Sequence, residues 1–195
     1  MRFSRSFFER PAELVARELL GAKLHRVIGK HHLVGRIVET EAYDQTEAAC
    51  HGYRGITERT APLFGHAGMS YVYFTYGMHF CFNVVTGAHG HGAAVLIRAL
   101  EPLDDVEHMR TLRPKAKHDR DLLSGPAKLC QAFSIARNEN LIDLIADDSL
   151  YLTTGRLHQG ETVQVTTRIG ITQARELPWR FFIAESPFVS KGKPS

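Results

Sequence analysis

The chain has 195 residues, 44% of them hydrophobic and 23% charged, with a formal charge of +3 at pH 7. This is the size and composition of one globular domain with its own core. No apolar run reaches membrane-spanning length, Met1-Arg2-Phe3-Ser4-Arg5 does not open a signal peptide, and three scattered cysteines (Cys50, Cys81, Cys130) without a CxxC pair argue against a disulfide framework or structural zinc. A reducing compartment is therefore expected: the cytosol, or the nucleoid in a bacterium. The pI near 8.8 permits an anionic partner without requiring one.

Taken in order, Pro11 opens a helix whose apolar positions Ala12, Val15, Ala16 and Leu19 precede a stop at Gly21. Two strands, 22–28 and 33–43, are joined by a turn over 29–32. The stretch 44–68 is a long glycine-punctuated loop, of the kind that is usually functional. Residues 71–85 are strand-like and aromatic, with a break near Gly77, and 93–100 form another strand, stopped by Pro102. A short helix over 104–112 and a basic connector over 113–120 follow. Ser124-Gly125-Pro126 starts a further helix with Ser124 as N-cap and Leu129, Ala132, Phe133 and Ala136 on its buried face. Strands are expected over 151–153, 163–171 and 180–184, and the tail 191–195 is polar and frayed.

Five of the six tyrosines lie between Tyr43 and Tyr76, behind a Glu39-Thr40-Glu41-Ala42-Tyr43 run. Strand periodicity of two projects Glu39, Glu41 and Tyr43 from one face. Two solvated carboxylates, paired with Arg36 or lysines, are the ordinary reading of such a run. Arg98 alters the balance, because it interrupts a strand apolar on both faces and so needs a carboxylate partner or a polar cavity. A buried glutamate beside a buried arginine is one way to hold a water-activating base ionised. Tyr71 and Tyr73 share a face, as a core ladder would, whereas Tyr43, His51 and Tyr73 suit the flat walls of a pocket for a ring. His89 and His91 sit in a glycine-rich loop without a third ligand nearby, so no metal is assigned. Arg36, Arg59, Lys128 and the 113–120 connector are candidates for phosphate contacts, with solvated surface charge as their default reading.

Together these segments resemble the alkyladenine (3-methyladenine, methylpurine) DNA glycosylase family. The resemblance rests on Phe8-Glu9-Arg10-Pro11, Val38 to Tyr43, Ala48 to His51, Tyr71-Val72-Tyr73 through Asn83, Arg98 to Leu103, Ser124 to Ala132 and Ser186 to Ser190. It implies an α+β fold, a single domain with a curved, mostly antiparallel sheet surrounded by helices, tails frayed at 1–7 and 191–195. It implies a monomeric, cofactor-free, monofunctional enzyme that flips a damaged purine from duplex DNA and hydrolyses its N-glycosidic bond. By the same resemblance Glu41 is the general base and Arg98 helps hold the attacking water. Tyr43, His51 and Tyr73 sandwich the base, which His51 also hydrogen-bonds through its backbone. Asn83 excludes guanine, Tyr76 fills the hole in the stack, and Lys128 and Arg59 meet the DNA backbone. His79 stands where an aromatic is frequent, and 55–68 and 86–92 are idiosyncratic, which bears on substrate preference. Two rivals are a catalytically silent lesion-binding module and a hydrolase of free nucleosides using Glu39 and Glu41 as acid and base.

Overall fold

A computed structural model of the chain describes residues 1–192. Lys23–Ile28 (β1) and His31–Asp44 (β2) pair antiparallel from Lys23↔Arg36 to Ile28↔His31. Their turn is Gly29-Lys30 alone, shorter than the four residues expected, with Gly29 supplying a positive φ. Ser70–Thr75 (β3) and His79–Val85 (β4) form a second hairpin that breaks at Tyr76-Gly77, and Ala93–Asp104 (β5) lies beside β4. Leu150–Thr153 (β6), Val163–Thr166 (β7) and Arg180–Ile183 (β8) complete one antiparallel sheet. Its main path is β3-β4-β5-β2-β1-β6, with β8 also pairing β2 and β7 pairing β8. The sheet curls into a half-barrel, giving the expected α+β class.

Helices Arg5–Phe8 (α1), Ala12–Glu18 (α2), Val106–Leu112 (α3) and Pro126–Ala132 (α4) accompany it. Strand period two divides β2 between two environments. Val38 and Ala42 enter the hydrophobic core with Phe8, Leu19, Phe82, Ile97 and Phe133, and Thr40 donates from that face to the Ala16 carbonyl of α2 at 2.8 Å. Glu39, Glu41 and Tyr43 therefore face the other way. No helix among the described residues is long and apolar enough to cross a membrane.

The second edge of β2 changes partner halfway along. Up to Ile37 it is tied to β1 and the chain before it, with Ile37 N–H donating to the Ala22 carbonyl at 2.8 Å; from Glu39 to Glu41 it pairs with β8. At this crossing the β2–β5 register slips twice, from Ile37↔Leu100 to Glu39↔Ala99 and then to Thr40↔Ile97. Val38 and Arg98 are the residues left without an opposite number. Such bulges re-aim side chains, and this one places Arg98 among the carboxylates of β2.

Four expectations are corrected. Pro102 does not stop its strand: it pairs with Gly35 next to another register shift, an irregular spot where its missing N–H is tolerated. Ser124 is not the N-cap of α4. Gly125 holds that position, while Ser124 is bridged to Ala99 and accepts from Lys128. Strand β7 ends at Thr166, because the following residues turn inward to the site. Residues 1–7 are tied down, since Arg2 bridges Thr153, pairs with Asp148 and lies 3.8 Å from the Tyr151 ring centroid, and Phe3 stacks into Phe7 and Phe8. Of the expected C-terminal tail, residues 193–195 lie outside those described.

Gly35 shows how little slack the core has beneath the site. A Cβ there would come within 2.9 Å of Leu100 Cδ1 and 3.1 Å of Phe133 Cζ. Gly35→Ala is expected to cost about 1–3 kcal/mol, read as a lower urea midpoint at unchanged slope.

Candidate active site

The inward face of β2 meets three other segments in a cluster of four charges. Glu39 is fully buried and receives Arg98 Nε (3.0 Å), Arg180 Nε (2.7 Å) and the Ser190 hydroxyl (2.9 Å) on Oε1, and the Ser190 N–H (2.7 Å) on Oε2. Glu41, also fully buried, receives Tyr43 OH (2.8 Å) and Arg98 Nη1 (3.2 Å) on Oε2 and the Ile169 N–H (2.7 Å) on Oε1. A carboxylate offers about four lone-pair positions. From the described residues, Glu39 accepts three donors on Oε1 and one on Oε2, and Glu41 accepts two on Oε2 and one on Oε1. Burial pushes the Glu39 pKa up, but the Arg98 and Arg180 guanidiniums outweigh it and hold Glu39 ionised below the ordinary range. Burial likewise opposes the charge on Arg98, and Glu41 and Glu39 more than restore it.

Above this cluster opens a cavity of about 480 Å³, walled by Tyr43, His51, Tyr71, Tyr73, Asn83 and Arg98 and by the segment Ile169 to Gln173. That volume lies in the range of small-molecule sites. Glu41 is not itself on the wall, but all three of its donors come from residues that are. His51 and Tyr73 meet edge to face at 4.5 Å, Tyr71 and Tyr73 lie 5.3 Å apart, and His51 Nδ1 is hydrogen-bonded to Tyr71 OH at 3.0 Å. Burial, with Arg59 nearby, lowers the His51 pKa to about 4, so the imidazole is neutral. Burial first and Glu41 second raise the Tyr43 pKa well above the ordinary tyrosine value, which keeps its hydroxyl a donor to Glu41. Asn83, opposite Tyr71 in the β3–β4 ladder, is fixed by donating to the Tyr71 carbonyl at 2.9 Å.

The site thus brings together Glu41, Arg98, Tyr43, His51, Tyr73 and Asn83. Tyr76 also borders the cavity, yet its side chain is 82% exposed at the tip of the β3–β4 hairpin, next to Met78 at 69%. Arg59 is exposed, with its guanidinium 5.5 Å from the Tyr73 ring centroid, which puts it at the cavity mouth. Lys128 lies in the first turn of α4, half-buried, donating to Ser124 at 3.2 Å. Arg36 is unavailable to a phosphate or to Glu39, because it is buried and paired with Glu101 and Glu161. Arg113, in the basic connector, is likewise occupied by the carbonyls of Asp121 and Leu122. His91 pairs with Asp44 at 2.7 Å, and the described residues contain no group of three or more potential metal ligands.

Sequence reasoning missed Arg180, Ser190, Ile169 and Arg168. Arg168 is fully buried, pairs with Glu47 at 2.6 Å and lies 4.6 Å from the Tyr43 ring centroid. An arginine amid the strand-like run 163–171 was its one signal, of the same kind that singled out Arg98.

An aromatic-walled cavity over a buried carboxylate and arginine defines a class: a pocket suited to a planar ligand, with an acceptor set beneath it. The chain matches the family model described as methylpurine-DNA glycosylase (MPG) over residues 6–187. It is 50% identical over 191 residues to a protein of Carboxydothermus hydrogenoformans named "Putative 3-methyladenine DNA glycosylase", covering 98% of this chain and all of that one. Proteins carrying the same name in Francisella tularensis (48% identity, 90% of this chain and 92% of theirs) and Methanocella arvoryzae (45%, 97% and 96%) are similar along their length. The chain belongs to the methylpurine-DNA glycosylase family, whose members act on N-glycosyl bonds in DNA.

The depressed histidines have a consequence for stability. His25 is also lowered to about 4, by burial first and then by His32. Both are proton-poor in the folded chain and take protons near 6.5 when unfolded, so their contribution is present above about pH 6.5 and is lost as pH falls toward 4. Thermal melts should show Tm declining through that window, and His25→Gln combined with His51→Gln should flatten the decline.

Proposed function

We propose that the protein is a monofunctional DNA glycosylase that takes an alkylated or deaminated purine out of duplex DNA and hydrolyses its N-glycosidic bond with a water activated by Glu41. The observation that carries this reading is a fully buried carboxylate, Glu41, whose Oε1 accepts one donor from the described residues, beneath a cavity walled by Glu41's own donors. A water there gives its proton to Glu41 as its oxygen attacks the sugar C1′. Positive charge builds on the sugar as the bond to the purine breaks, and the nearby carboxylate stabilises it. Arg98 orients Glu41 and the water. An N-alkylated purine such as 3-methyladenine or 7-methylguanine leaves as a neutral base without further help. A neutral lesion such as hypoxanthine or ethenoadenine needs protonation as it departs. The nucleophile is water and not an amine, so strand cleavage by a lyase step is not expected.

Tyr43, His51 and Tyr73 stack on the extruded base, His51 meets it through its backbone, and Asn83 crowds out the exocyclic amino group of guanine. Tyr76 enters the vacated step of the helix, offsetting part of the few kcal/mol that unpairing and unstacking cost. Arg59 at the mouth and Lys128 in the first turn of α4 meet phosphates. The free-nucleoside reading needs Glu39 as a proton donor, and a carboxylate held ionised by Arg98 and Arg180 is poorly suited to that.

Glu41→Gln should reduce single-turnover base release from lesion duplexes by about 10²–10⁴-fold while lesion binding persists. Release at the wild-type rate would remove Glu41 from the role, and lesion binding with no release by the wild type would favour a silent binding module. Tyr76→Ala should weaken binding to lesion duplexes by about 1–3 kcal/mol and lower the flipped fraction reported by a fluorescent base. An unaltered flipped fraction would dismiss the wedge.

A further inference from the structure

We propose that Glu39 is a positioning residue that sets how firmly Arg98 grips Glu41, and hence how strong a base Glu41 is. The inference rests on the assignment of Glu41 as that base. Arg98 sits at the bulge of β5 between the two carboxylates and divides its guanidinium unevenly: Nε lies 3.0 Å from Glu39 Oε1, while Nη1 reaches Glu41 Oε2 at 3.2 Å. Arg180, on the far side of Glu39, competes for the same oxygen at 2.7 Å. The Ser190 hydroxyl donates to it as well and accepts from Arg98 Nη2 at 3.4 Å. Glu39 is therefore the hinge of a chain of alternating charge running Arg180, Glu39, Arg98, Glu41. Whatever draws the charge of Glu39 toward Arg180 frees Arg98 for Glu41, and whatever returns it to Arg98 loosens that grip.

Opposing requirements make such a device useful. A base gripped by an unshared guanidinium is ionised but a poor proton acceptor. One with no cation beside it in a buried site takes a proton from solvent and stops working. A shared arginine lies between these extremes.

The other groups facing Glu41 do not substitute for Glu39. Tyr43, on the same strand, donates to Glu41 and stays neutral; Tyr73 on β3 and Cys81 on β4 stay neutral too, both raised first by burial. The segment after β7 contributes the Ile169 N–H and, behind Tyr43, Arg168, whose charge is opposed by Glu47. Among the described residues, Glu39 is the anion that shares a cation with Glu41.

The test is the acid limb of the pH–rate profile for single-turnover release of 7-methylguanine, a lesion cationic without protonation, so that the limb reports the base. Glu39→Gln removes an anion and gives Arg98 wholly to Glu41, and the limb is expected to move to lower pH by about one unit. Arg180→Gln turns Glu39 back onto Arg98 and is expected to move it a comparable distance to higher pH. The pair Glu39→Gln with Arg180→Gln should behave as Glu39→Gln alone, because Arg180 acts on Glu41 through the charge of Glu39. A purely architectural Glu39 would lower the plateau in every variant without these opposite shifts. A limb that stays put, or moves the same way for Glu39→Gln and Arg180→Gln, overturns the inference. If Glu39→Gln fails to fold, Arg180→Gln decides it, since no upward movement there would also overturn it. Glu41→Gln is the control: full activity there would sink the assignment of the base itself, whereas an inactive Glu41→Gln with unmoved limbs would sink only the role of Glu39.

Discussion

Two carboxylates and two guanidiniums, Glu39, Glu41, Arg98 and Arg180, are buried together, and the architecture around them follows from the cost of putting them there. An unpaired ion in a protein interior costs several kcal/mol, and packed hydrophobic residues would do as well or better for stability alone. Here the four charges sum to zero, and none is removable without leaving another uncompensated. The arrangement needs β2, β5, β8 and the chain around Ser190 to converge on one spot. The change of partner along the edge of β2, from β1 to β8, is how the sheet brings the fourth charge in.

Neutrality does not make the two glutamates equivalent. Glu39 accepts from both guanidiniums and twice from Ser190, so it holds the cluster together. Glu41 accepts from one guanidinium, and its donors Tyr43, Arg98 and Ile169 all line the aromatic-walled cavity. Those walls are secured from behind: Arg168, paired with Glu47 and bonded to the Ala42 carbonyl, lies against Tyr43. Tyr71 fixes the His51 ring. The pocket is thus pre-organised by polar contacts outside it, and a planar ligand entering it would have little ordering left to do.

Much of this is legible in the sequence because it depends on strand periodicity. The alternation Glu39-x-Glu41-x-Tyr43 places three side chains on one face whatever the tertiary structure, and Arg98 is conspicuous in an otherwise apolar strand. The hairpins follow from glycines at their turns. Long-range pairing is what local pattern does not contain. Nothing near Arg180 or Ser190 says that a residue some 140 positions away will be their partner, and nothing near Arg36 says that Glu101 and Glu161 claim it before Glu39 can. Pro102 and residues 1–7 were misjudged for a related reason. A proline inside a strand and a place at the start of the chain are local arguments for an ending and for fraying, and both were overridden: by a register shift in one case, and in the other by an aromatic cluster of Phe3, Phe7 and Phe8.

Tyr76 breaks a local rule in a way that bears on the proposed mechanism. The β3–β4 hairpin closes over Tyr76-Gly77, both at positive φ (50° and 67°), with the Met78 N–H donating to the Thr75 carbonyl at 3.2 Å. Such a turn favours Asn-Gly or Gly-Gly, and a tyrosine in the left-handed region carries strain of about 1–2 kcal/mol. The side chain recovers none of this by burial, since it is among the most exposed apolar groups of the described chain. A strained backbone presenting a large unburied aromatic at the lip of the cavity is unfavourable in the free protein. It is favourable only where something else supplies the missing contact surface. An opened base step supplies one of the right shape and size, which is why Tyr76 belongs with the pocket in the function proposed, although no hydrogen bond joins them.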